Sequence, residues 1–330
     1  MFPSNSCSNL VMALSIGVLT IIMIAGLLLT GMKIDLHSLR WLGLLICFQA
    51  GLAFYCHARK LPRLRAVAET NLFFTTATVV LLPTTYIALR FGMPLADDWL
   101  VEADAAIGFD WVHFVQFIDS RPWLAATLFY AYMSFHLQLL ALPAYFALFS
   151  RHARGQAIVF AYLLIVLTSC IISIWFPTQG AYVAHGAKDA SLQSIDTIWA
   201  FSYLHEFEQL RSTPGFVMDF RRVEGVLTFP SVHAAVALLC VWAASGSRYL
   251  FVPAVVVNAA MAFAAVSHAS HFVIDIFAGF TVAAVCICVA KLVFPGCRPA
   301  LSRMDEAEFM SGIRRRRGFG KAATSAAFTE

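Results

Sequence analysis

Ser267-His-Ala-Ser-His271-Phe-Val-Ile-Asp275-Ile-Phe-Ala-Gly279-Phe-Thr-Val-Ala-Ala-Val-Cys-Ile-Cys-Val-Ala-Lys-Leu-Val-Phe294 is a polar island that runs straight into an apolar stretch long enough to cross a bilayer. A second island, Phe229-Pro230-Ser231-Val232-His233, opens another apolar run upstream. Ionisable side chains at the ends of membrane helices are costly and rarely lack a task.

Working outward, 60% of the 330 residues are hydrophobic and 13% charged. The mean hydropathy is +0.75. Such a chain is polytopic. Eight stretches reach or approach a spanning length, at 9–31, 39–56, 71–90, 123–149, 156–176, 230–246, 250–267 and 271–294. Lipid satisfies no backbone polar group, so the expected fold class is all-α, a polytopic transmembrane helical bundle of about eight helices. The first run is read as a retained helix and not a signal peptide, because Met1 to Asn9 carries no Lys or Arg. Cys7, Cys47, Cys56, Cys170, Cys240, Cys286, Cys288 and Cys297 are scattered without a CxxC pair and are read as packing residues. A net charge of +4 without a basic, aromatic-interleaved face excludes nucleic acid as a partner.

The positive charges set topology. Arg59, Lys60, Arg63 and Arg65, then Arg151 and Arg154, then Arg248, then Arg314 to Arg317 all fall on one side of an eight-helix count. That side is read as cytoplasmic, with both termini, and both polar islands face outward. Between the third and fourth runs, Leu100, Ile107, Trp111, Phe114 and Ile118 recur at helical spacing while Asp104 and Asp110 interrupt them, which suggests one interfacial helix over 92–120 with solvated carboxylates. A lid that touches a head group through Asp97 and Asp98 is the alternative. Beyond Pro295 the chain is expected to be a disordered basic tail; no internal repeat or soluble second domain is visible.

Pro230 and Ser231 are helix-start residues, so amides after Phe229 are expected to present free N–H groups, which attract phosphate. His233 falls in that first turn. His271 and Asp275 are four apart and share a helical face. Asp275 can then hold one imidazole nitrogen of His271 and leave the other free to attack, with His233 as acid and base. Alternatives remain open: a metal site from His233, His268, His271 and Asp275, simple packing, or a transporter of a polar lipid or ion. His268 is read as a turn residue, and His136 and Gln138 as interhelical hydrogen-bond formers.

Phe229–His233 together with His271-Phe-Val-Ile-Asp275 and Gly279 resembles the type 2 phosphatidic acid phosphatase superfamily, and most closely its inositol phosphorylceramide synthase branch. The resemblance implies a six-helix catalytic core over 71–294, preceded by two helices and a basic cytoplasmic loop at 1–70 and followed by a cytoplasmic tail at 295–330. It implies a phosphohistidine at His271, orientation by Asp275, acid–base work by His233, and no metal or other cofactor. Hydrolase members carry Lys-x6-Arg-Pro where this chain has Trp175-Phe-Pro-Thr-Gln-Gly-Ala-Tyr182, and an Arg where it has Ala265. These departures lean toward transfer of a phospho-head group, such as phosphoinositol, from a membrane phospholipid donor to a lipid alcohol acceptor, with lipid phosphate hydrolysis as the alternative. The implied location is the non-cytoplasmic face of a plasma or inner membrane. A phosphoryl transition state still needs positive charge. Arg211, Arg221, Arg222 and Lys188 are the candidates, Arg211 and Arg222 being favoured, with Ser231 as a further phosphate ligand.

Overall fold

The computed structural model describes residues 5–149, 152–187 and 192–295. Lys188, Arg151, Cys297 and the tail with Arg314 to Arg317 lie outside the described residues. Among those described there are twelve helices: α1 (Asn5–Thr30), α2 (Arg40–Ala58), α3 (Pro62–Arg90), α4 (Asp97–Ala106), α5 (Trp111–Asp119), α6 (Pro122–Leu148), α7 (His152–Trp175), α8 (Ala181–Ala184), α9 (Ile198–Ser212), α10 (Val232–Ala244), α11 (Arg248–His268) and α12 (Val273–Val293). Two short strands, β1 (Lys33–Ile34) and β2 (Val217–Met218), pair in parallel and tie the α1–α2 connection to the long connection before α10.

The fold is an all-α polytopic bundle. Seven of these helices are long and apolar enough to cross a membrane. The eighth expected span is the 13-residue α10, apolar but short. α3 begins well before its apolar run at 71, taking in Arg63, Arg65 and Glu69. Hydropathy marks the part of a helix that lipid surrounds, and a helix does not end where lipid does.

Small residues let the helices approach. Ala157, Ala161, Ala237, Ala243, Ala283 and Ala290 are 0–2% exposed in the central core, which suits backbone contact where lipid supplies no hydrophobic drive. Cys56, Cys170, Cys240 and Cys286 are buried as packing residues, whereas Cys7, Cys47 and Cys288 are exposed on the bundle surface.

The bundle has two chemically distinct ends. At one, Arg65 Nε lies 2.6 Å from Glu69 Oε1 and Asn9 Nδ2 donates to Glu69 Oε2 at 3.1 Å. There Arg154 Nη2 donates to the carbonyls of Trp242 and Ala243 at 2.7 and 3.0 Å, at the C-terminus of α10, where a cation complements the helix dipole. The other end holds both polar islands and the carboxylates of α4 and α5.

The expected single helix over 92–120 is two helices. Gly108 takes φ +75°, a left-handed conformation that ends α4, and Asp110 caps α5 by accepting the His113 N–H at 2.9 Å. Leu100, Trp111 and Ile118 are buried, but Ile107, at the break, is exposed.

Candidate active site

α12 starts at the second island. Its N3 residue Asp275 reaches back so that Oδ2 accepts the Phe272 N–H at 3.0 Å, the return half of a capping box. The same oxygen lies 3.1 Å from His271 Nδ1. Asp275 is fully buried and His271 is 2% exposed. With a carboxylate on Nδ1, the tautomer assigned to His271 carries its proton there and leaves Nε2 as the free nitrogen.

That free nitrogen faces the first island. Ser231 Oγ is 3.3 Å from His271 Nε2. Ser231 is also the N-cap of α10, its Oγ accepting the Ala234 N–H at 3.3 Å. Its own N–H donates to the Asp275 carbonyl at 3.1 Å, so the two islands are stitched backbone to backbone. Gly279 makes the close approach possible: a Cβ there would stand 2.3 Å from the Ser231 carbonyl oxygen.

His233 completes the cluster. Its ring centroid lies 6.3 Å from that of His271. Tyr132 stacks on it at 4.3 Å and Phe135 lies tilted at 4.5 Å, so two rings of α6 fix its plane. Four side chains named from sequence, Ser231, His233, His271 and Asp275, therefore converge. The arrangement offers an oriented imidazole nitrogen, a second imidazole within reach of the same ligand, and a hydroxyl between.

Arg211 and Arg222 bond other groups. Arg211 Nη2 donates to the Met93 carbonyl at 2.7 Å and the guanidinium lies over Phe207. Burial pushes its pKa down, partly offset by the Asp97 carboxylate. Arg222 is exposed, and its N–H closes a turn onto the Asp219 carbonyl. Among the described residues, no hydrogen bond or ion pair joins either one to the histidines. Arg221 pairs with Asp219 and Asp35 at the surface.

His268 ends α11, its Nδ1 2.9 Å from Ser267 Oγ, and Gln138 bridges to α11 by accepting from Asn258 Nδ2 at 2.7 Å. His136, by contrast, is exposed on α6 and forms no such bridge among the described residues. No three His, Cys, Asp or Glu side chains among the described residues converge as a metal would require.

Sequence reasoning named Asp97 as a possible lid contact and Asp104 as solvated, and missed the groups that the carboxylates of this region bind. Asp97 accepts from Thr178 Oγ1 at 2.6 Å and from the Gln179 and Gly180 amides at 3.0 and 3.1 Å. Asp119 accepts the amides of Gln193, Ser194 and Ile195 at 2.8–3.0 Å. Asp104 is buried against α12 and bonds the Val273 and Ile274 amides. They are anchors, not solvated charges. Burial lifts the Asp104 pKa, and the two amides and then His185 pull it partly back. For Asp119, burial pushes up, but three amide bonds outweigh it and hold the pKa low. Burial lowers the His185 pKa, partly offset by Asp104 and Asp110. The only signal in sequence was the repeated acid within an amphipathic segment, which does not name a partner.

The family model described as the PAP2 superfamily matches residues 98–289, from within α4 to within α12. No curated protein and no solved structure matches the chain.

Proposed function

We propose, since this chain belongs to the PAP2 superfamily, that it is a head-group phosphotransferase acting through a phosphohistidine at His271. Members of that superfamily are lipid phosphatases or phosphotransferases, so the chain is a membrane enzyme of that class. The observation that carries the reading is the His271 Nδ1–Asp275 Oδ2 contact at 3.1 Å with Ser231 Oγ 3.3 Å from Nε2.

Asp275 accepts a hydrogen bond from the His271 Nδ1–H and keeps the Nε2 lone pair aimed at the ligand. Nε2 attacks phosphorus, the bond to the donor's glyceride oxygen breaks, and His233 gives that oxygen a proton. Neutral His233 then takes the proton of an acceptor hydroxyl, which attacks phosphorus and releases His271. Ser231 Oγ and the first amides of α10 supply donors to the phosphoryl oxygens. Positive charge at the transition state falls to the imidazolium of His233 and to Arg211, whose Nη1 is buried without a partner among the described residues. Arg222 remains an exposed candidate.

Transfer is favoured over hydrolysis by the cation-free segment Trp175–Tyr182 and by Ala265. Burial of His271 also limits water relative to a lipid hydroxyl. Residues 71–294 form the catalytic core in this reading, and the site faces away from the cytoplasm, because Arg59, Lys60, Arg65, Arg154 and Arg248 gather at the opposite end. Phosphoinositol passing from a glycerophospholipid to ceramide or diacylglycerol is the pairing to test first.

Purified protein in mixed vesicles is expected to convert labelled phosphatidylinositol and ceramide into a new phospholipid, with diacylglycerol release dependent on ceramide. Free phosphate from phosphatidic acid, with no acceptor-dependent product from any donor, gives the site to hydrolysis instead. His271→Ala and Asp275→Ala are expected to lower turnover by at least about 10³-fold. His233→Ala given a nitrophenyl phosphate, whose leaving group needs no proton, is expected to accumulate phosphoenzyme. Full activity in His271→Ala refutes the nucleophile.

A further inference from the structure

Two helices that lie outside the catalytic constellation bond the backbone that carries the proposed nucleophile. Asp104 on α4 accepts the Val273 N–H on Oδ2 at 2.9 Å and the Ile274 N–H on Oδ1 at 2.8 Å. Trp111 at the start of α5 donates its indole N–H to the His271 carbonyl at 3.2 Å. Asp104 is 1% exposed and Trp111 2%. Trp111 is itself wedged, edge-on to Tyr182 at 4.6 Å and stacked on His185 at 5.0 Å.

The segment held is one that needs holding. Ser270 sits at φ +64°, in the left-handed region that a residue with a side chain occupies only when its surroundings impose it. The Ala181 N–H bonds the Ser270 carbonyl at 2.7 Å and the Tyr182 N–H bonds its Oγ at 3.1 Å. Past Ser270 the chain reaches His271 without a helix of its own until Val273. Among the described residues, the side chains that bond the backbone of 271–274 are Asp104, Trp111 and Asp275.

Resting on the phosphohistidine reading above, we infer that Asp104 and Trp111 are positioning residues, through which the α4–α5 arm fixes where His271 Nε2 stands relative to Ser231 and His233. Neither touches the reacting atoms. The carboxylate fills the first-turn amides of α12 and sets its pitch, while the indole fixes the carbonyl plane of His271. Loss of either tie leaves Asp275 bonded to a nucleophile whose tip has moved, and the cost falls on the chemical step and not on lipid binding.

The full chain in mixed lipid micelles tests this, with labelled phosphatidylinositol and labelled phosphatidic acid as separate donors, for Asp104→Ala, Asp104→Asn, Trp111→Phe and, alongside, His271→Ala. Asp104→Ala is expected to lower kcat about 30-fold, and Asp104→Asn and Trp111→Phe about 5-fold, with KM within about twofold throughout. Asn keeps one acceptor oxygen for the two amides, hence the partial rescue. Amide hydrogen exchange over 271–276, which needs no substrate, is expected to quicken in both Asp104 variants while that of α10 stays as in the wild type. Wild-type kcat in both Asp104→Asn and Trp111→Phe overturns the inference, whatever Asp104→Ala does. So does unchanged exchange over 271–276, or a lowered unfolding midpoint with unchanged kcat per folded molecule. Retained turnover in His271→Ala instead defeats the phosphohistidine reading and is a separate failure.

Discussion

The N-termini of α10 and α12 lie side by side at the same end of the bundle and differ in what fills them. At α12 the Phe272 amide bonds Asp275 Oδ2, and the Val273 and Ile274 amides bond Asp104. At α10 the Ser231 amide goes to the Asp275 carbonyl and the Ala234 amide to Ser231 Oγ, while the amides of Val232 and His233 have no partner among the described residues. A helix N-terminus draws anions through unpaired N–H groups and the helix dipole. At α12 the protein's own carboxylates meet that demand. In the proposed mechanism the nucleophile therefore rides on a closed helix end, and the neighbouring open end is left for the phosphoryl group.

The change expected to disturb this contrast most is Gly279→Ala. The new Cβ would meet the Ser231 carbonyl at 2.3 Å and Ala234 Cβ at 3.2 Å, so the open end must move off the closed one. Turnover is expected to fall about 100-fold, since a shift near 1 Å between reacting groups costs that much. Steady-state kinetics on the purified variant decide it, and wild-type turnover would mean that the pairing of the two ends does not matter.

Ser231→Ala sharpens the contrast at lower amplitude. It removes the α10 cap and the hydroxyl beside Nε2 but leaves both free amides, so the expected losses are about tenfold in kcat/KM and about 1 kcal/mol in stability. Equal kcat/KM in the variant and the wild type places the phosphoryl group elsewhere.

The smallest effect belongs to a carboxylate away from both helix ends. Asp119 has a folded pKa held below its ordinary value, so its contribution to stability is present above that value and is lost as pH falls through the folded one. Protection of the Gln193, Ser194 and Ile195 amides, taken relative to their intrinsic exchange rate at each pH, is expected to be constant from neutral pH down to about 5 and to fall below about 4. Asp119→Asn is expected to lack that protection at every pH, with turnover within about twofold of wild type. Loosening that spreads to 271–274 would join this loop to the catalytic arm.

The spans were legible in the sequence because lipid demands unbroken apolar runs, and their centres match α1–α3, α6, α7 and α10–α12. The His271–Asp275 pair was expected from the spacing of one helical turn, but His271 precedes the α12 N-cap and the pair forms because Asp275, at N3, reaches back over the helix start. Ser231 and His233 were legible because Pro-Ser starts helices. What sequence could not show was partnership over distance: Asp104 and Val273 are 169 residues apart, and an acid on an amphipathic segment looks solvated until its receiving amides are placed. The break at Gly108 was hidden by apolar spacing that continues through it. α9 carries a helical rhythm in Ala200, Tyr203, Leu204, Phe207 and Leu210, but such spacing names no partner surface, so Arg211 could be placed near phosphate only by its charge.

α12 carries His271 just before its first residue and then runs 21 residues, about 32 Å, to the far end of the bundle. That length equals the hydrocarbon thickness, so the histidines can meet head groups of one monolayer and never the other. In the proposed transfer reading each turnover moves a head group between two lipids of a single leaflet, conserving the number of head groups there while the opposite leaflet stays as it was. A closed vesicle carrying the protein in one orientation should then keep its area balance until the diacylglycerol product crosses to the other leaflet and should curve as it does, which makes vesicle shape a recorder of how fast that crossing is.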